Sequence, residues 1–435
     1  MVEVSNIRAL PLFFQGKRVG MLSHEKEAYR FKYNDEWIQT GFTLSPHIPF
    51  IGDASSDVIV NFLLNLFPEG EAFDILVSSL RVRKSNVLSI LEATGQDAPG
   101  AISFGGIQQE IRQRREITPE ELTTRLDTDD PSQIVMWDGQ YRLSVAGIQR
   151  KLNILIENKH LYLADGQYAS THIIKFAKLE HRHLVVNEYV CMQLGRLVGL
   201  DVADTDYLQF GQHPALLVRR FDREMASGAI KKCHVIDGCQ LLDLPPNYKY
   251  EQIYGSGKDV ANIRDGVSIP KLFDAVKKTR VPARNRLVIL DWLLFNLVIG
   301  NSDAHGKNIS FLMDRNGFDV APLYDLVSIS FEGLSNNELD TGLAMAIDDE
   351  FNINDVSAYN LVSMAESIAL KPSLVKRRLN ILIGKVMASL NKVDLAKLPD
   401  EDRDVAEELK NHINQRADSF KIEMKQFDSV IQGLK

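Results

Sequence analysis

Cysteine is scarce in this chain. Cys191, Cys233 and Cys239 are the only three among 435 residues. That is too few for a disulfide framework, and it fits a reducing compartment. No CxxC occurs, and no Cys/His pair has the spacing of a zinc site. The opening residues, MVEVSNIRALPLFFQGKRVG, lack the apolar stretch and cleavage site of a secretory signal. The longest apolar run, Leu287–Gly300, is interrupted by Asp291 and Asn296. It is shorter than the roughly 18 residues of a membrane span, so it reads as a buried helix. Positive charge is not in excess: the formal net charge is −8 and the isoelectric point about 5.8. That balance argues against nonspecific nucleic-acid binding through bulk charge, while leaving room for a local basic patch or a basic partner. No internal repeat and no low-complexity tract is visible. A cytoplasmic protein without a membrane span is expected.

The length corresponds to roughly three domains at about 150 residues each. Hydrophobic residues make up 45% and charged residues 25%, as in ordinary globular proteins. Near the start, LPLFF, VGML and YRFKY read as strands, with turn signals at Gln15–Arg18 and Ser23–Lys26. Helical spacing follows over Ser55–Leu80 and Val87–Thr94, then a short strand after Asp97–Phe104. These predict a small α+β subdomain over 1–105. Thr118-Pro119-Glu120-Glu121 is a helix start: threonine caps, proline fits the first turn and the acids favour the positive end of the dipole. A strand-rich stretch then runs through QYRLSVAGIQRKLNILIENKHLYLADGQ and STHIIKFA, with turns at Glu157–Lys159 and Ala164–Gly166. Val185–Leu200 has the pattern of an amphipathic helix that stops near Gly199, and Ala215–Glu224 reads as a strand. From about Val281 the spacing is helical, with an interruption near 301–325. The expected division is a β-rich lobe over 106–225 and a helical lobe over 226–435.

The interruption contains NSDAHGKN, Asn301–Asn308. Its Gly-Lys pair invites a phosphate-loop reading, but the spacing fails. Gly300 to Gly306 is one residue too long, Asn308 replaces the magnesium-binding Ser/Thr, and a helix precedes where a strand is required. A kinase-type loop fits better. Such a site needs an Asp to accept the proton of the attacking hydroxyl, an Asn five positions on, and a further metal-binding Asp beyond a hairpin. Asp303 and Asn308 have the first spacing. ISFLMDRNGFDVAP predicts the hairpin, with its turn at Arg315–Gly317, and Tyr324-Asp325 supplies the last acid. Upstream, the same chemistry requires a strand lysine and a glutamate on the next helix. HIIKFA offers Lys175 and VVNEYVCMQL offers Glu188. Asp-x4-Asn alone is common by chance, and a strand lysine alone is usually an edge residue; the four in this order are much more specific.

These residues, with SVAGIQRK (Ser144–Lys151), THIIK, NEYVCMQLGRLVGL, RRFDR (Arg219–Arg223), DGCQLLDLPPNYKYE (Asp237–Glu251) and PLYD (Pro322–Asp325), resemble the HipA family of bacterial type II toxins. Members are serine/threonine protein kinases of divergent fold. The resemblance spans about residues 140–325. It implies an α+β, two-lobed protein-kinase-like fold with a β-rich N-lobe, an extra N-terminal subdomain and a mostly helical C-lobe. It implies ATP and Mg2+ as cofactors. Ala146, Gly147, Ile148, Gln149, Arg150 and Lys151 would cover the nucleotide, with one glycine where ordinary kinases have three. Backbone N–H groups there could still donate to phosphate. Lys175 would bind phosphates, paired with Glu188, and Arg219, Arg220 and Phe221 would hold adenine through backbone groups. Read from the residues alone, RRFD is a salt-bridged strand end. Asp303 would be the catalytic base, with Asn308 and Asp325 as magnesium ligands. His305, Gly306, Lys307 and Tyr324 would line the nucleotide site; Lys307 could stabilise the transferring phosphoryl as a point charge. His305 is open to a packing role or a chemical one.

Ser144 would be the autophosphorylation site. Adding nearly two negative charges there would repel the phosphates of ATP and inactivate the kinase. Standard DFG switching is not supported, because Phe and Gly are missing after Asp325, and no A-P-E sequence follows. The family implies a HipB-like helix-turn-helix antitoxin as partner, with operator DNA contacted mainly through it. It also implies a protein substrate in translation, notably the glutamate aminoacyl-tRNA synthetase, whose inactivation would arrest growth and give persistence. Two other readings remain: a nucleotide-binding scaffold that acts as co-repressor, and a small-molecule phosphotransferase. The combination of SVAGIQRK with NSDAHGKN speaks against the latter.

Overall fold

The computed structural model describes residues 8–94, 98–105, 115–128, 130, 132–138, 140–141, 150–164, 169–177, 181–226, 229–335 and 340–433. The chain forms two compact units. One comprises Met1–Glu180, Leu208–Pro246 and Phe311–Phe318; the other comprises His181–Tyr207, Asn247–Ser310 and Asp319–Lys435.

The first unit opens with a four-stranded sheet in the order Ala28–Tyr33, Lys17–Glu25, Arg8–Phe14, Ile102–Phe104. Gln15 and Gly16 both have positive φ, as a two-residue hairpin turn requires. The second turn falls at Lys26-Glu27, slightly later than the polar cluster at Ser23–Lys26 suggested. Pairing extends to Glu25 because His24 lies opposite Tyr29, and their rings pack at 4.4 Å. The helical stretch expected over Ser55–Leu80 is two helices, Ser56–Leu64 and Gly70–Leu80. Pro68 lies in the break, and proline disfavours helical geometry in the residue before it.

A six-stranded sheet follows, in the order Thr205–Phe210, His213–Arg219, His172–Phe176, Arg150–Glu157, His160–Leu163, Glu116–Ile117. Strand parity divides its residues between two faces. Leu152, Ile154, Ile174 and Phe176 enter one core with Trp137, Leu122 and Leu126. Lys151 and Lys175, of opposite parity, face the other way. Thr118 caps the helix Pro119–Leu126 by accepting from the Glu121 N–H, as its sequence predicts. The turn at Asn158-Lys159 also stands where it was expected.

Beyond the strand His213–Arg219, a buried charge cluster ties distant parts of this unit together. Arg220 makes two hydrogen bonds to Asp222, of 2.9 and 2.8 Å, and a third to Ser170 Oγ at 2.8 Å. Arg223 donates to Asp222 and to the Gly100 and Ala98 carbonyls, while the Gly100 N–H donates to Asp222. Burial opposes charge on Asp222, but the two guanidiniums and these hydrogen bonds prevail and hold its carboxyl below the usual range.

The second unit is mostly helical. Its centre is Pro282–Ile299, whose stretch Trp292–Ile299 is buried on every side, so no amphipathic stripe is needed. The helices Pro372–Ser389 and Asp400–Glu423 pack against it. The helix His183–Leu197 packs on those two and ends at Gly199, where φ is +92°. Asp402, buried at the start of Asp400–Glu423, accepts from Tyr207 Oη at 2.6 Å and pairs with Arg182 at 3.0 Å. Among the described residues no helix is long and apolar enough to cross a membrane.

Asp222→Ala leaves Arg220 and Arg223 buried without their carboxylate. We expect a loss of about 3–5 kcal/mol in unfolding free energy, measured by urea denaturation. A loss below about 1 kcal/mol would contradict the compensating role of Asp222.

Candidate active site

The helix Pro282–Ile299 stops at Gly300, which has φ +79°. A Cβ there would collide with Ser330 Oγ, so both backbone and space demand glycine. Arg416 Nη2 donates to the Leu297 carbonyl at 2.9 Å, placing a cation at the negative end of the helix dipole. The Ser330 N–H donates to the Gly300 carbonyl at 2.9 Å.

The loop then closes on itself. Asn301 Oδ1 accepts from the Asp303 N–H at 3.1 Å, and Asn301 Nδ2 donates to Asn296 Oδ1 at 2.8 Å. The His305 N–H donates to the Asp303 carbonyl at 2.8 Å, and Asn308 Nδ2 donates to the same carbonyl at 2.9 Å. The residues spaced five apart in sequence are thus brought together. Because the Asn308 NH2 is turned to that carbonyl, its Oδ1 lies on the other side of the amide. His305 caps the turn Gly306–Asn308, its Nδ1 accepting from the Lys307 N–H at 3.3 Å. Burial, reinforced by nearby Lys249, pushes its pKa down to about 3, so the ring is neutral. Gly306 has no room for a side chain because Val267 fills the place of a Cβ. Its N–H donates to the Lys249 carbonyl at 3.0 Å.

After the hairpin Ser310–Asp314 and Gly317–Val320, Tyr324 Oη bonds the Lys307 carbonyl at 2.7 Å and Ser310 Oγ at 2.6 Å. Asp325 follows with φ +54°, an uncommon conformation that Asp tolerates better than most residues. Its carbonyl accepts from Asn301 Nδ2 at 3.4 Å. Asn301 therefore holds both the Asp303 backbone and the Asp325 backbone.

Among the described residues no group of three His, Cys, Asp or Glu side chains forms a metal cluster. The donors at hand, a carboxylamide and carboxylates, are hard oxygens. They suit Mg2+, which takes one or two protein carboxylates and completes its shell with water and phosphate oxygen.

In the other unit, Lys175 on His172–Phe176 lies directly opposite Lys151 on Arg150–Glu157. Both are buried, and cross-strand partners share a face. Their ammonium groups therefore stand on the same side of the sheet. Arg150 is on the same strand, half-buried. Arg219 is exposed at the end of its strand, and Phe221 is half-buried. The Arg220 side chain is committed to Asp222 and Ser170, and its N–H donates to the Thr171 carbonyl. The salt-bridged strand end expected from RRFD is what forms. Glu188 is buried on the helix His183–Leu197. Its neighbour Asn187 bonds Ser328 backbone atoms at 3.0 and 2.8 Å and Glu332 Oε1 at 2.6 Å. That fastens the helix to the segment after Asp325. Ser144, Ala146, Gly147, Ile148 and Gln149 lie outside the described residues.

Three participants were not read from the sequence as such: Asn187, Asn301 and Tyr250. Tyr250 Oη donates to Asp303 Oδ1 at 2.8 Å, across 53 positions of chain. In the sequence it stands only as part of DGCQLLDLPPNYKYE, and nothing local marks a tyrosine as the neighbour of an acid so far away.

A fixed Asp beside a fixed Asn on a loop between helix and hairpin is the arrangement of a protein-kinase-like phosphotransferase. Residues 10–105 match the model of the HipA N-terminal domain, and residues 143–392 that of the HipA-like C-terminal domain. The chain is 40% identical over 395 residues to the serine/threonine-protein kinase toxin HipA of Shewanella oneidensis, covering 89% of each. It superposes with a TM-score of 0.88 and 36% identity on the structure of the Shewanella oneidensis HipA, HipB and operator DNA complex, covering 96% of this chain and 99% of that one. The chain is an α+β protein of the kinase-like fold class and a serine/threonine protein kinase. It belongs to the HipA family.

His305 and His234 are both buried and held neutral, His234 with its pKa pushed down to about 4 by burial. The unfolded chain protonates both below about pH 6.5, so it binds more protons as pH falls and stability falls with it. His183, whose pKa is raised by its hydrogen bond to Glu332, acts in the opposite sense. We expect unfolding free energy to drop from pH 6.5 toward pH 4.5, by roughly 1 kcal/mol per pH unit for each neutral imidazole. Urea titrations at several pH values measure this. His305→Gln should flatten the slope, and an unchanged slope would contradict burial of a neutral ring.

Proposed function

We propose that this protein is the ATP- and Mg2+-dependent kinase toxin of a type II toxin–antitoxin system. The observation that carries this reading is the hydrogen bond by which Asn308 is held on the Asp303 backbone. It keeps Asp303 and Asn308 together in one turn, which supports proton acceptor and metal ligand as the roles of the pair. Asp303 accepts the proton of the attacking Ser/Thr hydroxyl as the oxygen–phosphorus bond forms and ADP leaves. Asn308 and Asp325 would hold Mg2+, which when bound would supply charge neutralisation at the phosphates. Lys175 and Lys151 bind phosphate oxygens; their buried, face-sharing positions support this. Glu188 is the acid of the lysine–glutamate pair that kinases use. Arg150, the 146–149 segment and the backbone of Arg219–Phe221 bind the rest of the nucleotide. Lys307 and Tyr324 complete the loop, and His305 and Gly306 shape it.

Ser144 is the proposed autophosphorylation site, and its modification shuts the enzyme off. A HipB-like antitoxin is the proposed partner, bringing operator DNA to an acidic toxin that itself contributes little charge attraction. The Shewanella oneidensis HipA complex with HipB and DNA supports this assembly. The target is a protein of the translation apparatus, with the glutamate aminoacyl-tRNA synthetase as the family's expectation.

Incubation with γ-labelled ATP and Mg2+ tests the reading. The wild type should incorporate label, and Asp303→Asn should lower the rate by about 10²- to 10⁴-fold. Ser144→Ala should abolish self-labelling while keeping transfer to an external acceptor, with the phosphosite located by mass spectrometry. A wild type that binds ATP yet takes up no label would leave only the scaffold reading.

A further inference from the structure

We infer that Tyr250 is a positioning residue for Asp303, holding the carboxylate in the orientation that accepts the substrate proton. This rests on the assignment of Asp303 as the base. Tyr250 Oη donates to Asp303 Oδ1 at 2.8 Å, a charge-assisted hydrogen bond. Anchoring one carboxylate oxygen limits rotation about the terminal torsion, which is otherwise broad. The phenol ring stands edge-on to the buried His305 ring, with centroids 5.2 Å apart and planes at 82°. The tyrosine therefore braces both ends of the turn Asp303–His305.

The segment carrying Tyr250 is itself fixed on both sides. The Val267 N–H donates to the Tyr248 carbonyl at 2.9 Å, the Gly306 N–H to the Lys249 carbonyl at 3.0 Å, and the Gly266 N–H to the Glu251 carbonyl at 3.2 Å. The Glu251 N–H donates to the Ala344 carbonyl at 2.9 Å, and the Ala344 N–H to the Ser302 carbonyl at 2.7 Å. The Glu251 carboxylate, buried, accepts from the Ala346 N–H at 2.8 Å and from Arg264 Nε at 2.7 Å. A tyrosine recruited only to cover apolar surface would not need its hydroxyl at the acid. Tyr250 is 38% exposed, so burial alone does not account for its place.

The test compares wild type, Asp303→Asn and Tyr250→Phe. It measures γ-phosphate transfer from ATP to the chain itself and to dephosphorylated casein across pH 5–9. Tyr250→Phe keeps the ring on His305 and removes only the hydroxyl. We expect kcat to fall roughly 10-fold, the scale of one hydrogen bond to a charged group, with the nucleotide KM within about twofold. Nucleotide affinity and the unfolding midpoint should stay unchanged, which a merely structural role would not predict. An active wild type, an inactive Asp303→Asn and a Tyr250→Phe equal to wild type would overturn this inference alone. A faster Tyr250→Phe would also overturn it, showing that the phenol blocks the acceptor's place. A wild type inert on both acceptors, or Asp303→Asn as active as wild type, would overturn the parent assignment and this inference with it.

Discussion

The loop Asn301–Asn308 depends on one backbone carbonyl. The oxygen of Asp303 accepts from both the His305 N–H and the Asn308 side chain, and those two bonds close the segment Asp303–Asn308 into one turn. Everything nearby is arranged to supply or protect that turn. Gly300 reverses the chain where only glycine fits, Asn301 holds the backbones of Asp303 and Asp325, and Tyr324 ties the return strand to Lys307. The rigidity of the loop thus comes from side-chain and backbone hydrogen bonds acting together.

The other unit meets a different constraint. A strand shows alternate residues to opposite faces, and a core of Leu152, Ile154, Ile174, Phe176 and Trp137 fixes which face is which. Lys151 and Lys175 are then forced onto one face, opposite each other. Cross-strand partners share a face, so the two ammonium groups stand on the side of the sheet away from that core. Asp222 has the reverse task, gathering two guanidiniums and the 98–100 segment around one carboxylate. In RRFDR the side chains of Arg220, Asp222 and Arg223 therefore serve architecture.

His305 illustrates how residue type can mislead. A histidine inside a loop of Asp, Lys and Asn suggests acid–base chemistry. In the fold it is buried, neutral, and engaged as the cap of a single turn, against the edge of Tyr250. Tyr250, in contrast, carried no local sign of importance, yet its hydroxyl rests on the acid.

The sequence by itself determined what depends on near neighbours in the chain. Turn residues, the Thr118 cap, strand alternation, the helix over Pro282–Ile299 and the Asp303–Asn308 spacing are all local, and their chemistry can be read from side chains a few positions apart. Family membership was legible for the same reason: the motifs are short and ordered. The tertiary structure alone decided which lysines share a face, where the Arg220 charge goes, why Gly300 and Gly306 admit no side chain, and that Tyr250 meets Asp303. Those facts depend on strand register and on contacts between residues tens of positions apart. Packing sets them through the sum of many small interactions, and no single stretch of sequence contains them.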